Sequence, residues 1–325
     1  MPGEKDPLAG EASVSAKVDE TGLTARAKSR AVVALDRLIG SVVDIPAAWL
    51  ETRAHRIRQQ DQVRDQLVEA HAQAAVVRLK QLPDVGEHTL KLFLKDQKRK
   101  QLNRDSIAFL TMEELSLPPP RPLGPAAQGE GTMQDGDISE DWLNLYSAHA
   151  ENASSEHLRS LWAKILAGEI RRPGAFSRTT LRAVSELDRE IAAMFQSKVI
   201  DRLQGRMILK PKDLKRQELM DLSFLEEVGL LQQVNGMINL TLAPVPDGNV
   251  YLPNGRSLLR IKSGAFIQVP IILITRVGRE IASILPTEAD EAPLRKVAQT
   301  LRQEGRVIEL CKIDDAGNLS VVEML

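Results

Sequence analysis

The chain has 325 residues and a formal net charge of −1, with 43% hydrophobic but only 3% aromatic residues. That length allows two or three domains at roughly 100–200 residues each, and an apolar set dominated by Leu, Ala, Val and Ile favours packed helices over an all-β sandwich. The near-neutral balance supplies no whole-chain field for nucleic acid or a membrane surface, so any such partner has to be met by a local patch.

Cys311 is the single cysteine. It excludes a disulfide within the chain and a cysteine metal cluster, and it fits a reducing, cytoplasmic setting. The opening stretch MPGEKDPLAGEASVSAKVDETG is acidic and lacks the apolar core of a signal peptide. A membrane span needs about 18 or more apolar residues. Leu38 to Leu50, interrupted by Asp44 and Pro46, and Phe266 to Ile274 are both too short, so a soluble chain is expected.

In chain order, residues 1–26 are polar and without periodicity, which predicts a disordered tail. Residues 27–116 read as a long-helix region. Val32, Val33, Leu35, Leu38 and Ile39 form a first apolar stripe, broken by Gly40 and Pro46. A helix from about Pro46 to Leu82 then carries Val63, Leu67, Ala70, Ala74 and Val77 at 4-3-4-3 spacing, the seam of a helical hairpin or coiled coil and a candidate self-association surface. Val85 to Met112 is the obvious intrachain partner. Two basic clusters lie here: Arg53, Arg56 and Arg58, then Lys95, Lys98, Arg99, Lys100 and Arg104. They read either as a nucleic-acid or membrane contact or as solvated faces, since Glu51, Asp61, Asp65, Asp96 and Asp105 are interspersed. Residues 117–137, rich in Pro and Gly, read as a linker.

Residues 138–205 are the signature region. One helix starts near Ser139 with Trp142, Leu143, Leu145 and Tyr146. Ser154 or Ser155 is placed to cap a second, with Leu158, Leu161, Trp162, Ile165 and Leu166 inward. Gly168 inside that helix costs about 1 kcal/mol relative to Ala, which implies the close approach of another backbone or an approaching helix end. Pro173-Gly174 stops the helix, and Ser177 or Thr179 can cap a third from Leu181 to about Leu203. Arg159, Lys164, Arg171, Arg172, Arg178, Arg182 and Arg189 crowd this region. With the free N–H groups of a helix start near Ser177 they suggest an anion site; the competing reading pairs them with Glu156, Glu169, Glu186 and Asp188 on a solvated surface. Glu169 is the carboxylate to watch, although alone it makes no acid–base pair.

The motif DWL…LW.KILAGEI..PG.FS..TL resembles a bacterial family known only as a domain of unknown function, number twenty-eight-oh-six, and distantly resembles the abortive-infection alpha group tied to phage defence. The residues that carry the resemblance are Asp141, Trp142, Leu161, Trp162, Ile165, Leu166, Ala167, Gly168, Glu169, Pro173, Gly174, Phe176, Ser177, Thr180 and Leu181. The likeness is strong over only about 50 residues. It implies a cellular context, anti-phage defence, and no reaction.

Residues 206–285 change period. Pro211 to Val228 reads as a helix with Leu214, Leu219, Leu222 and Leu225 inward and Gly229 after its end. Leu230 to Val234 and Met237 to Leu242 form a predicted hairpin across Asn235-Gly236. A second is predicted around Asn254-Gly255. Phe266 to Ile274 is a strand that Pro270 assigns to an edge or a bulge, and Thr275 caps a helix through Leu285. This order resembles a winged-helix module, which serves DNA binding or protein interaction. The candidate recognition helix is basic only at its start (Lys210, Lys212, Lys215, Arg216), then acidic through Glu218, Asp221, Glu226 and Glu227, which opposes phosphate contact. In residues 286–325 a helix from Pro286 to Arg302 precedes a hairpin of Val307 to Ile313 and Leu319 to Leu325, with Cys311 as a buried small hydrophobe.

No phosphate-binding glycine loop, dinucleotide fingerprint or serine-hydrolase elbow occurs. His55, His71, His88, His149 and His157 are singletons without a metal-ligand spacing. The expected fold is mainly α with a C-terminal α+β part: a long N-terminal helical hairpin, a helical domain, a winged-helix-like module and a small helix-plus-hairpin end. No catalytic residue, metal or cofactor is assigned. The expected function is a non-enzymatic interaction or sensor component that forms a homo-oligomer or binds a protein partner. The alternative is a nucleic-acid-binding winged-helix-type regulator using the winged-helix-like module and the Lys95 to Arg104 patch. Lys95, Lys98, Arg99, Lys100, Arg171, Arg172 and Arg178 are the candidate nucleic-acid or anion contacts, and a third reading is an enzyme around Glu169 and the nearby arginines.

Overall fold

The structure is a computed structural model and describes residues 24–39, 87–118, 136–211, 213–302, 306–314 and 317–325. The seam from Val63 to Val77, the cluster Arg53, Arg56 and Arg58, and most of the predicted tail and linker lie outside the described residues, as do His55, His71 and the side chain of His88. Among the described residues there are nine helices and eight strands, the strands all in the C-terminal part. None of these helices is long and apolar enough to cross a membrane.

The N-terminal part is helical. Helix α1 (Ala25–Ile39) buries Ala27, Ala34, Leu35 and Leu38 against α2 (Glu87–Ser116), which contributes Ile107, Ala108 and Leu115. Helices α3 (Glu140–Ala150) and α4 (Glu156–Arg171) complete that layer. Ser155 caps α4, its side chain accepting from Leu158 N at 3.2 Å. The single helix expected from Leu181 to Leu203 is two: α5 (Arg178–Glu186) and α6 (Arg189–Val199). Asp188 causes the break, because its carboxylate caps a new helix by accepting from Ile191 N at 2.8 Å.

After β1 (Met207–Leu209) comes α7 (Arg216–Glu227). Gly229 ends it at φ +81°, and Leu230 N reaches back to Leu225 O, the left-handed closure in which glycine carries no Cβ penalty. The hairpin expected across Asn235-Gly236 is not formed. Strands β2 (Leu231–Gln232) and β3 (Ile238–Leu242) both pair antiparallel with β6 (Ile267–Ile274), opposing 273–274 and 267–271 respectively. They are one interrupted strand, and residues 233–237 loop out of it. Lys210 Nζ donates to Val234 O and Gly236 O (2.7 and 2.9 Å) and Glu226 accepts from Val234 N (3.2 Å), so side chains satisfy the loop backbone that a hairpin ladder would have served.

Strand β6 is also central rather than an edge, with β1 on its other side. Pro270 is tolerated because β1 ends at Leu209, opposite Ile271. The proline's missing N–H falls beside Lys210, whose own N–H still reaches Pro270 O at 2.9 Å. The alternation of β6 divides the interior. Ile272 and Ile274 enter the helical core, whereas Ile267, Val269 and Ile271 enter a second core. That second core lies under a sheet of order β4 (Asn249–Asn254), β5 (Ser257–Lys262), β7 (Val307–Ile313) and β8 (Leu319–Met324), closed by Leu294, Val297, Ala298 and Leu301 of α9 (Glu291–Arg302).

The hairpins expected at Asn254-Gly255 and between β7 and β8 both form. Gly255 has φ +60°, and the Asp290 carboxylate occupies the space a Cβ would need. Cys311 is buried in β7 and burial pushes its thiol pKa up, as for an inert core residue. Helix α8 (Arg276–Ala282) is capped by Thr275, which accepts from Gly278 N at 3.0 Å. The helical core runs through residues on both sides of position 205, from Trp142 to Leu225 and Ile281.

Candidate functional site

The signature motif closes on itself around the turn from Arg172 to Ser177. Gly168 on α4 leaves room for an aromatic ring: a Cβ built there would lie 2.7 Å from Phe176 Cε2. Of the two readings the sequence offers, the helix does end three residues on, at Arg171, and the close approach is made by a side chain and not by a backbone. Gly174 turns the chain at φ +82° and follows Pro173, which sits half-buried in the turn. Glu169, buried one residue after Gly168, accepts from Gly174 N (2.6 Å) and Phe176 N (3.0 Å). Burial pushes its pKa up to about 7; the two backbone donors pull the other way, and nearby Glu280 adds to the rise.

The tryptophans are part of the same fastening. Trp142 on α3 donates its indole N–H to Phe176 O at 2.7 Å, tying α3 to the turn. Its ring stacks on Tyr146 at 5.1 Å between centroids, and Tyr146 meets Trp162 edge-on at 5.3 Å. The Tyr146 hydroxyl, fully buried, donates to Trp162 O at 2.9 Å. Burial holds its pKa well above the usual phenol value.

The far side of the turn is held by a residue the sequence reading passed over. Glu280 of α8 accepts from Ser177 N (2.6 Å) and from the Thr180 hydroxyl (2.6 Å), while Arg276 donates to its other oxygen at 2.9 Å. Ser177 caps α5 through Thr180 N and its hydroxyl contacts Thr180 Oγ1 at 3.0 Å. The anion position expected at this helix start is thus filled by the chain's own carboxylate, 103 residues away in sequence. No local pattern around Glu280 signals this, because the contact exists only once α8 has docked on α5.

The arginines expected to bind an anion have structural partners. Arg171 donates to Glu114 O and Leu117 O (both 2.7 Å), satisfying carbonyls at the C-terminal end of α2. Burial lowers its pKa. Arg178 pairs with Asp141 at 2.9 Å, and Arg172 is exposed but engaged. On α2, Arg99 pairs with Asp96 (2.7 Å), Lys100 with Asp96 (3.2 Å) and Glu151 (3.3 Å), and Arg104 with Glu151. Lys95 and Lys98 face solvent on the same helix. Arg202, also missed in the sequence, is buried. It donates to Val199 O (2.9 Å) and Ala282 O (2.8 Å), the C-terminal carbonyls of α6 and α8, where helix dipoles favour a cation. Burial brings its pKa down to about 10.

A shallow cleft of about 220 Å³ opens beside this motif, lined by His149, Asn152, Ala153, Leu158, Trp162, Val184 and Ser185. His149 stacks on Trp162 at 6.1 Å. Ser185 Oγ donates to Arg182 O, and Asn152 donates through Nδ2 to Ala148 O and accepts at Oδ1 from Arg99, so both polar side chains are committed within the chain. Among the described residues no group of three His, Cys, Asp or Glu is placed to hold a metal ion. The polar side chains of Asp141, Trp142, Glu169, Ser177 and Thr180 each bond backbone or another side chain of the chain. The arrangement is a clasp.

Residues 88–202 match the model of a family described as "Protein of unknown function (DUF2806)", the family the motif resembles. No curated protein and no solved structure matches the chain.

Proposed function

We propose that this chain is a non-enzymatic interaction protein that acts by assembling with itself or by docking a protein partner. The observation that carries the reading is the outer face of α7. Met220, Phe224 and Val228, spaced four residues apart on one side, are 56%, 41% and 37% exposed, and Met237 in the adjoining loop is 97% exposed. Asn235 Nδ2 lies 3.5 Å from Ser223 Oγ, which keeps that loop beside the helix. Apolar residues exposed side by side on one helix face mark an interaction site, and unbranched methionines adapt to a partner's contours.

Nucleic-acid binding finds less support. In a winged-helix arrangement α7 would face the duplex, yet its side chains include Glu218, Asp221 and Glu227. On α2 the charges of Arg99, Lys100 and Arg104 are compensated by Asp96 and Glu151. The resemblance to the abortive-infection group supplies the cellular context of the proposal, anti-phage defence.

The test is the absolute mass of purified protein together with its 260/280 nm absorbance ratio, before and after a high-salt wash. A nucleic-acid-free oligomer, or a co-purifying protein lost on Phe224→Asp, supports the proposal. A bare monomer without partner, or nucleic acid released by salt, overturns it.

A further inference from the structure

The four-stranded sheet has two edges, and they are guarded differently. At one end β4 carries Pro253, which removes a backbone donor. At the other end β8 reads LSVVEM, with all six residues exposed and neither proline nor lysine among them. Among the described residues nothing pairs with its outer side. Leu325 N donates inward to Ile308 O at 2.9 Å, so the preceding amide, that of Met324, points to the open edge.

The side chains of β8 are sorted by a bulge. Glu323 stands opposite Leu310 and Val321 opposite Cys311, which leaves Val322 as the extra residue. That insertion places Ser320 and Glu323, three apart, on the same face. The α9 contacts agree: Arg295 pairs with Glu323 at 2.7 Å, and Lys312, opposite Ser320, pairs with Glu291 at 2.8 Å. Leu319, Val321 and Met324 take the other face, opposite Ile313, Cys311 and Glu309. In an unbulged strand positions 320 and 323 would face opposite ways.

The consequence is a strand complementary to itself. Laid antiparallel on a second β8, with the two-fold axis at the bulge in the middle of the strand, Leu319 meets Met324 and the Ser320 hydroxyl meets the Glu323 carboxylate. Apolar residues oppose apolar ones and the strand's one acid opposes a donor, never another acid. We infer that β8 is a homodimerisation edge, pairing antiparallel with β8 of a second copy to make one eight-stranded sheet. This rests on the self-assembly half of the function proposed above, and it names the surface and the register. Main-chain hydrogen bonds supply the attraction and the alternate side chains the specificity, as in other strand additions.

The test uses the full chain in sedimentation-velocity runs over a concentration series, with circular dichroism and melting to check folding. Wild type is expected to show a reversible monomer–dimer equilibrium. Leu319→Glu and Met324→Lys should each weaken association at least tenfold without altering the melt, since both positions are exposed. An equimolar mixture of the two variants should regain association, because the introduced lysine and glutamate face each other only in this register. A wild-type monomer at every concentration overturns both this inference and self-assembly. An oligomer indifferent to both variants, or one that the mixture does not restore, overturns the β8 edge and leaves self-assembly standing. Should a variant misfold, hydrogen exchange of wild-type residues 319–324 decides: protection must rise with concentration, and unchanged exchange overturns the pairing.

Discussion

Glu169 predicts an unusual pH dependence for a buried carboxylate. Its ordinary pKa of 4.5 applies to the unfolded chain, and in the fold it stands at about 7. Below pH 4.5 both states hold the proton. Between 4.5 and 7 the unfolded state releases it while the folded state keeps it, so unfolding is favoured and stability falls as pH rises. The gap of about 2.5, at about 1.4 kcal/mol per pH unit, corresponds to a loss of roughly 3 kcal/mol by pH 8. Asp96, Glu151 and Glu291 have lowered values, so their contributions act at and below the ordinary carboxylate range and leave this window clear. The measurement is urea unfolding of wild type and Glu169→Gln at intervals from pH 4.5 to 8. The Gln side chain stays neutral throughout, so the difference between the two curves, whatever its offset, should change by roughly 3 kcal/mol in favour of the variant as pH rises. A difference flat across the window would refute the reasoning: the N–H groups of Gly174 and Phe176 would then hold the ionised form against burial.

The same clasp supports further expectations. Gly168→Ala gains about 1 kcal/mol of helix propensity but drives a methyl into Phe176, so a net destabilisation of about 1–2 kcal/mol is expected by denaturant titration; in a Phe176→Leu background the penalty should largely vanish. Glu280→Ala strands Ser177 N and leaves the Thr180 hydroxyl only its contact with Ser177 Oγ, and should cost about 1–3 kcal/mol, with hydrogen exchange speeding at 177–180 before the rest of the core. Gly255→Ala meets both the positive φ and the Asp290 carboxylate, and a loss of about 1–3 kcal/mol in the melt is expected. Charge reversal at Lys98, Arg99 and Lys100 should leave any salt-resistant assembly intact and perturb only salt-sensitive binding, read by sedimentation at two ionic strengths.

Local chemistry was legible wherever one side chain bonds its own neighbourhood. Ser155, Ser177 and Thr275 cap the helices the sequence assigns them, Gly229 ends α7, and Asn254-Gly255 turns its hairpin. Failures came where a distant strand or helix overrode a local signal. Asn235-Gly236 bends the chain, but β6 offers both flanking segments a longer partner than they offer each other. Pro270 marks an edge only if neighbours flank it fully, and β1 is too short to do so. Apolar periodicity runs through Asp188 as through a helix interior, because helix-capping geometry leaves no mark on it. The motif itself was legible as a pattern and opaque as to role. Trp, Gly, Glu, Pro-Gly and Ser suit a binding site and equally suit a turn that must satisfy its own backbone; only the partners of Glu169 and Glu280 distinguish them.

That distinction bears on where specificity resides. The matched region ends at residue 202, and Arg202 bridges the ends of α6 and α8. Within that region the motif joins α3, α4 and α5, and Glu280 from outside it completes the closure. The exposed apolar face of α7 and the open edge of β8 both lie beyond residue 202. A turn whose polar groups are internally satisfied has little left with which to recognise a ligand, whereas unpaired strand edges and apolar helix faces gain most from a partner. The two sets of residues should therefore separate experimentally. Substitutions in the clasp should lower stability and leave the affinity of the folded fraction unchanged, and substitutions on α7 or β8 should alter association at constant melting temperature. A clasp variant that abolished association while melting like wild type would move the functional surface back onto the motif.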